Sequence, residues 1–326
     1  MITKEKILSA ISPDLEKIEA VLTKNFASYV PFINEVSRHI LFAGGKRLRP
    51  LLMVLCARLA GKETDERAYR LSVLFEYLHA ATLLHDDVVD QAEFRRGRRA
   101  AHHLWGNQAV ILVGDFLYSR AIRIAVEEGN MDVLDVISRT TTLMSEGEVL
   151  QLLNLDNFSL DEEGYYEVIY RKTAVLISAA CEVGGIYAGL EDDGRMALKR
   201  FGEYLGYAFQ ITDDLLDYVG VSKETGKDVG TDFKEGKVTL PFILAAENAP
   251  DTDRKRLVSL LKDEEPTPAH FEEARELMAK YGAFERTREK ARSFVEKALH
   301  ELGRFEPSPT RALLEDLTRF ILVRRA

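Results

Sequence analysis

Cysteine is nearly absent: Cys56 and Cys181 are the two in 326 residues, and both lie inside apolar runs. That excludes a disulfide framework and a cysteine-based zinc site, and it fits a reducing cytoplasm. No apolar run reaches the roughly 20 residues that a membrane-spanning helix needs. The opening residues, Met1-Ile2-Thr3-Lys4-Glu5-Lys6, carry no signal-peptide core, so the expected location is cytoplasmic. A basic excess is lacking as well. The net charge of −9 and a pI near 5.5 argue against general affinity for nucleic acid or anionic membrane. A phosphate-binding function would therefore have to rest on local basic clusters. Gly/Ser linkers, low-complexity tracts and short-period repeats are missing. So are alternating strand patterns bounded by hairpin turns.

What is present is helical periodicity. Hydrophobic residues make up 46% and charged residues 30%, an ordinary balance for a globular chain. Apolar residues recur at three- and four-residue spacing over 15–40, 48–60, 66–86, 105–127, 132–155, 165–189, 194–218 and 237–247. Shorter helical segments follow near 252–262, 270–280, 285–303 and 309–323. Ser12-Pro13-Asp14 and Ser308-Pro309 read as helix starts. Breaks are expected at Gly61-Lys62, Glu128 to Asn130, Asn157 to Gly164, Asp192 to Gly194, Gly220 to Gly236 and Pro266 to Pro268. None of these looks like a domain boundary, so the expectation is one all-α domain over 1–326. Gly184-Gly185 inside a helical run reads either as close helix packing or as a local kink. The chain from about residue 249 is richer in charge and reads as packing scaffold.

Two copies of Asp-Asp-x-x-Asp stand at the ends of apolar helical runs: Asp86, Asp87 and Asp90, then Asp213, Asp214 and Asp217. On a helix, positions i and i+4 share a face, so Asp86 stacks over Asp90 and Asp213 over Asp217. Two like charges about 4 Å apart repel by roughly 1 kcal/mol in water and about 4 at an effective dielectric of 20. A chain that arranges this twice has a cation to hold. Oxygen ligands suit Mg²⁺, which keeps waters and binds through carboxylates together with substrate phosphates. The reading is a magnesium-diphosphate site between two helices.

Basic clusters stand nearby. Arg95-Arg96-Gly97-Arg98-Arg99 follows the first triad. Alone it would read as a solvated loop; beside carboxylates it is a candidate for bidentate diphosphate binding. Gly44-Gly45-Lys46-Arg47-Leu48-Arg49-Pro50 leads two glycines and a basic run into an apolar helix, where a helix N-terminus favours anions. Its spacing is not that of a Walker loop, and its bland reading is a helix cap with a basic first turn. Lys172-Thr173 interrupts one long helix and Gln210 precedes the second triad. Lys227 and Lys237 follow that triad. Polar groups aimed into an apolar bundle are costly without a task. His79 lies two helical turns before Asp86 on roughly the same face. His85 reads as supporting or structural, and His102 and His103 receive no role. No zinc site, Gly-x-Ser-x-Gly elbow or cysteine nucleophile is present.

These residues, in this order, resemble the trans-polyprenyl diphosphate synthases. The likeness runs from Gly44–Pro50 through His79–Asp90, Arg95-Arg96-Gly97, Lys172-Thr173 and Gln210–Asp217 to Gly226-Lys227, covering roughly 40–245. The stretch from His79 to Gly114-Asp115 is most similar to the long-chain branch, such as octaprenyl diphosphate synthases. The resemblance implies the all-α isoprenoid synthase fold, one large helical bundle around a central cavity, and a homodimer. It implies isopentenyl diphosphate and an allylic diphosphate such as farnesyl diphosphate as substrates, with Mg²⁺ as cofactor. Lys46, Arg49 and His79, helped by Arg96, would bind the diphosphate of isopentenyl diphosphate. Asp86 and Asp90 with Asp213 would hold Mg²⁺ on the allylic diphosphate, and Asp87, Asp214 and Asp217 complete the pattern. Arg95, Lys172 and Lys227 would contact the allylic diphosphate, with Lys237 a further candidate. Thr173 and Gln210 would face the allylic carbon.

Product length is legible in part. Back from Asp86, the same helix face carries Thr82, Leu78 and Phe75, with Ala81 beside them. Short-product members of the family place bulky aromatics just upstream of the first triad; here Ala81 and Thr82 are small. At 1.5 Å per residue, Phe75 lies roughly 16 Å below Asp86. The expectation is a product of C30 or more, C40 favoured, and the sequence leaves open whether it serves quinones or another lipid. The alternatives are a farnesyl or geranylgeranyl diphosphate synthase, a non-catalytic partner subunit and a class I terpene cyclase. A cyclase would not need the Gly44–Arg49 cluster.

Overall fold

The computed structural model describes residues 4–155, 157–220, 229–263 and 265–323. The fold is all-α. In chain order the helices begin with α1 (Lys4–Asn25), α2 (Pro31–Leu41), α3 (Leu48–Leu59), α4 (Glu66–Ser72) and α5 (Leu74–Val89). A two-residue hairpin, β1 (Phe94–Arg95) with β2 (Arg98–Arg99), leads to α6 (Ala101–Trp105), α7 (Asn107–Glu128), α8 (Met131–Leu153) and α9 (Glu162–Ile169). A π-helical turn (Tyr170–Ala174) joins α9 to α10 (Val175–Ala188), and α11 (Asp192–Val219) follows. The rest is α12 (Thr231–Lys234), α13 (Leu240–Asn248), α14 (Asp251–Leu261), α15 (Pro268–Lys280), α16 (Ala283–Leu302) and α17 (Pro309–Val323).

Several expected boundaries move, each for a physical reason. The run 15–40 is two helices, because Pro31 opens a new first turn. Ser12-Pro13 does not start a helix; Pro13 sits inside α1. The buried stripe Ile7, Ile11, Ile18 and Leu22 passes straight through it, and burial of that face outweighs one lost backbone bond. Asp65 caps α4 by accepting the Ala68 N–H at 3.0 Å, and the run 66–86 then splits at Val73. Asp192 and Asp193 are not a break but the first turn of α11, where acidic side chains suit the helix dipole.

The hairpin was not expected. Arg96 and Gly97 both have positive φ, 52° and 74°, as a type I′ turn requires. It pairs Phe94 with Arg99 and Arg95 with Arg98.

The chain forms two compact units. The first comprises Met1–Thr140, Ala179–Lys199 and Arg304–Leu314. Its centre is α5 against α7, with Phe75, Leu78, Ala81 and Leu84 buried on one and Val113, Leu117 and Ala121 on the other. Gly184 settles its two readings in favour of close packing: a Cβ there would stand 2.5 Å from the Met53 carbonyl oxygen of α3. The second unit comprises Thr141–Ser178, Arg200–Gly303 and Glu315–Ala326. Tyr165, Ile211, Tyr218, Phe233 and Phe242 are buried together there, and residues of the C-terminal helices, Leu257, Met278 and Ala291 among them, wall the same core. Among the described residues, no helix is long and apolar enough to cross a membrane.

Candidate active site

In the first unit, α5 carries most of the chemistry. Its apolar residues fix it in the core, so the polar residues at its C-terminal end have set positions. Asp86 is half-buried, Asp87 fully buried and Asp90, the C-cap, exposed. Asp87 Oδ1 accepts the Arg95 Nε–H at 2.8 Å. Its other oxygen, Oδ2, is buried with no hydrogen-bond partner. Arg95, expected on a substrate phosphate, is thus held by an aspartate expected on a metal.

The Gly44–Pro50 segment turns sharply before α3. Arg47 occupies the left-handed region at φ 48° and ψ 34°, a conformation that disfavours a non-glycine residue by roughly 1–2 kcal/mol. Its guanidinium is buried and donates from Nε to Glu19 at 2.6 Å, from Nη1 to Glu76 at 2.6 Å and from Nη2 to the Leu41 carbonyl at 2.5 Å. Burial works against its charge, but Glu19 and Glu76 more than offset this and raise its pKa. Charge-assisted bonds contribute about 1.5–3 kcal/mol each, enough to hold the strained turn.

Beyond Arg47 the site is cationic. Arg49 Nε is buried without a hydrogen-bond partner. Burial, opposed by Glu76 and aided by Arg96, pushes the Arg49 guanidinium down to about 10. Arg96 is also lowered by burial, and by Arg47 and Arg95, with Glu76 opposing; its Nη1 donates to the Gly44 carbonyl. The His79 imidazole is pushed well below 6.5 by burial and then by Arg49, Arg96, Arg95 and Arg47. Arg49, Arg96 and His79 are therefore gathered as the sequence suggested, while Lys46 is exposed on the loop beside them. His85 Nε2 lies 3.1 Å from the Ile111 carbonyl and 3.5 Å from Asp115 Oδ1.

In the second unit, the π turn presents Lys172 and Thr173. A π turn adds a residue and lets side chains that would follow the helix stripe point elsewhere. Two glycines permit its close packing: a Cβ on Gly147 would stand 2.6 Å from Arg171 Cβ, and one on Gly206 would stand 2.4 Å from Ala174 Cα. Lys172 Nζ donates to Gln151 Oε1 at 2.6 Å and to Glu148 at 3.4 Å. Thr173 Oγ1 donates to Gln210 Oε1 at 2.8 Å, and Gln210 Nε2 donates to Asp214 Oδ1 at 2.8 Å. Tyr165 Oη closes the chain on Asp214 Oδ2 at 2.6 Å.

Burial, more than its own charge, perturbs the second triad. Burial raises the Asp214 pKa to about 6, against the hydrogen bonds of Tyr165 and Gln210; Asp213 adds to the rise and Lys237 opposes it. Asp217 is raised by burial although backbone N–H groups of Asp232 and Thr231 donate to it at 2.9 and 3.2 Å. Asp232 is pushed well above its usual range by burial and then by Asp214 and Asp217. Lys237 acts on this cluster and also pairs with Glu235. Asp213 is half-buried. Lys227 lies outside the described residues.

The sequence profile of the polyprenyl synthetase family matches residues 30–278. The chain belongs to the polyprenyl synthetase family. It is a prenyltransferase with the all-α isoprenoid synthase fold. An octaprenyl diphosphate synthase of Escherichia coli (strain K12) is 38% identical over 321 residues, 98% of either chain. A polyprenyl synthase from Caulobacter crescentus CB15, solved with calcium and isoprenyl diphosphate, is 39% identical with a TM-score of 0.93, covering 99% of this chain and 98% of that one. A decaprenyl diphosphate synthase from Rhodobacter capsulatus is 40% identical with a TM-score of 0.92, covering 99% of each chain. These likenesses speak for a long-chain synthase and against the cyclase alternative.

Against that family, three residues were missed. Glu148 and Gln151 hold Lys172, and their signal was an acid and an amide three apart on one helix face. Asp232 joins the second triad as a further carboxylate; it stood in the Gly220–Gly236 stretch, which read only as a break. Each triad by itself suits a hard cation: the first has all-oxygen ligands and an orphan oxygen on Asp87, the second has carboxyls raised by burial and by one another. Among the described residues, no three His, Cys, Asp or Glu side chains close on one point that a metal could fill. A cation held here would complete its shell with water and phosphate oxygens.

Proposed function

We propose that this synthase elongates an allylic diphosphate, such as farnesyl diphosphate, by repeated head-to-tail condensation with isopentenyl diphosphate. The product is all-trans, C30 or longer, with C40 favoured, and the working form is a homodimer. One observation carries the reading: Arg49, whose Nε is buried without a partner, Arg96 and the half-buried His79 gather into a cationic group apart from the aspartate triads, as an anion site would. A synthase joining two diphosphates needs it, and an enzyme ionising one diphosphate does not.

Arg49, Arg96 and His79, with Lys46, hold isopentenyl diphosphate by its diphosphate. Asp86, Asp90 and Asp213 would hold Mg²⁺, with Asp87, Asp214 and Asp217 completing the two triads. Magnesium, when bound, neutralises the charge that develops on the allylic leaving group. Arg95 and Lys172 take remaining oxygens of that diphosphate. Moving to it would release Arg95 from Asp87 and Lys172 from Gln151. Thr173 and Gln210 orient fixed dipoles toward the allylic carbon as its C–O bond breaks. The hydrogen bonds from Tyr165 and Gln210 keep Asp214 in place while that charge develops. The double bond of isopentenyl diphosphate attacks the allylic carbon, a proton is lost, and the released diphosphate takes it. The small Ala81 and Thr82 let the growing chain pass along α5.

Purified protein incubated with labelled isopentenyl diphosphate, farnesyl diphosphate and Mg²⁺ should yield a ladder ending at C30 or longer. EDTA should abolish it. Turnover that survives chelation, or a product ending at C15 or C20, would overturn the reading.

A further inference from the structure

Arg47 and Glu76 have no place in the reaction so far, yet both are buried at the edge of the cationic group. Glu76 stands one turn before His79 on α5, so both side chains are carried by one rigid helix face. Arg47 is the N-cap of α3. Its left-handed backbone fixes the direction of Lys46 on one side and of Arg49 in the first turn on the other. Gly45 is pressed against the same group: a Cβ there would stand 3.0 Å from Arg96 Nη1 and 3.3 Å from Arg47 Nη1. Glu76 Oε1 accepts the Arg47 Nη1–H at 2.6 Å. Its charge also acts on the guanidiniums of Arg49 and Arg96, and that of Arg96 works against that of Arg49.

We propose that Glu76 is a positioning residue for the isopentenyl diphosphate subsite: it clamps Arg47 in its left-handed turn, and that turn sets Lys46 and Arg49 around the ligand. Glu76 acts through Arg47 and not on the ligand, because its Oε1 is taken by the Arg47 guanidinium. The inference rests on the reading that Arg49, Arg96 and His79 hold that diphosphate.

Steady-state kinetics with both substrates test it. Glu76→Gln keeps an acceptor for Arg47 but removes the charge. It should raise KM for isopentenyl diphosphate about tenfold or more, since small displacements of a positioned group cost up to about a hundredfold. KM for farnesyl diphosphate should stay within about twofold, because removing a group that serves one substrate leaves binding of the other intact. Glu76→Asp, which restores the charge on a shorter arm, should recover part of the loss. Equal rises in both KM values, or a lower kcat with both KM values unchanged, would make Glu76 a fold residue and overturn the proposal. Should Glu76→Gln not fold, Arg47→Lys reads the same clamp, keeping the charge and losing the fork; it must show the same one-sided KM effect. Arg49→Gln separates the two claims. An unchanged isopentenyl KM in that variant would sink the subsite reading itself. A raised KM there, with Glu76→Gln unaffected, would sink only the positioning role.

Discussion

A half-buried imidazole ringed by guanidiniums resists a second proton. Burial and then Arg49, Arg96, Arg95 and Arg47 hold His79 well below 6.5 in the folded protein. In the unfolded chain the ring titrates normally, at about 6.5. Below that pH the unfolded state binds a proton that the folded state refuses, so stability is present above about 6.5 and is lost as pH falls. The slope from one such group approaches about 1.4 kcal/mol per pH unit. His79→Gln should flatten the decline of urea stability on moving from neutral pH to about pH 5.5; an unchanged slope would assign that decline to other groups. Charge environment of this kind was only half legible. The basic run 44–50 announced an anion site, but nothing local tells Arg47 from Arg49. The difference lies in Glu19 and Glu76, 28 and 29 residues away in the chain, which take up one guanidinium and leave the other under-paired. Asp87 and Arg95 pose the same problem: a motif gives residue types, while the partner that occupies them is chosen by packing.

At the scale of the element, the proposed reaction makes α5 join substrate recognition to product length. Its N-terminal part, with Phe75, Leu78 and Ala81 buried, fits the expected path of the growing chain, and its C-terminal part carries the first triad. Ala81→Phe would put a ring where the proposed path passes the buried Ala81, so part of that path must fill. The product should shorten by one or more isoprene units, read on thin-layer chromatography, while the condensation rate with short primers stays within about fivefold, since the first triad lies more than one turn further along the helix. An unchanged chain length would remove Ala81 from the path. Helices such as α5 were legible because a buried stripe repeats every three or four residues. The π turn was not. An apolar run keeps its look when one residue is added, and only the fit of Gly147 and Gly206 against 171–174 shows why the extra residue is tolerated. The hairpin at 94–99 escaped for a related reason: Arg96 at positive φ is a turn choice that favours asparagine, aspartate or glycine, so the residue types gave no warning.

For the whole molecule, the decisive property is that each compact unit carries one aspartate triad. The proposed reaction asks both triads to serve a single leaving group. Groups that act as a unit give strongly non-additive losses: removing one member costs nearly as much as removing several. Asp86→Ala and Asp213→Ala should each lower kcat/KM by about a thousandfold or more, in line with the loss of a charge-stabilising group from a transition state. The double variant should fall little further. Excess Mg²⁺ should rescue neither, because metal bound by one triad alone would leave the leaving group's charge only partly neutralised. Independent triads predict the opposite result. Their losses would multiply in the double variant, and one single variant would keep much of the wild-type rate. Binding offers a check that does not depend on turnover. Mg²⁺-dependent binding of a non-hydrolysable farnesyl diphosphate analogue, followed by calorimetry, should weaken in both single variants. Binding of isopentenyl diphosphate, assigned to Arg49, Arg96 and His79, should persist in both, and its loss would mean that the two diphosphates do not have separate sites.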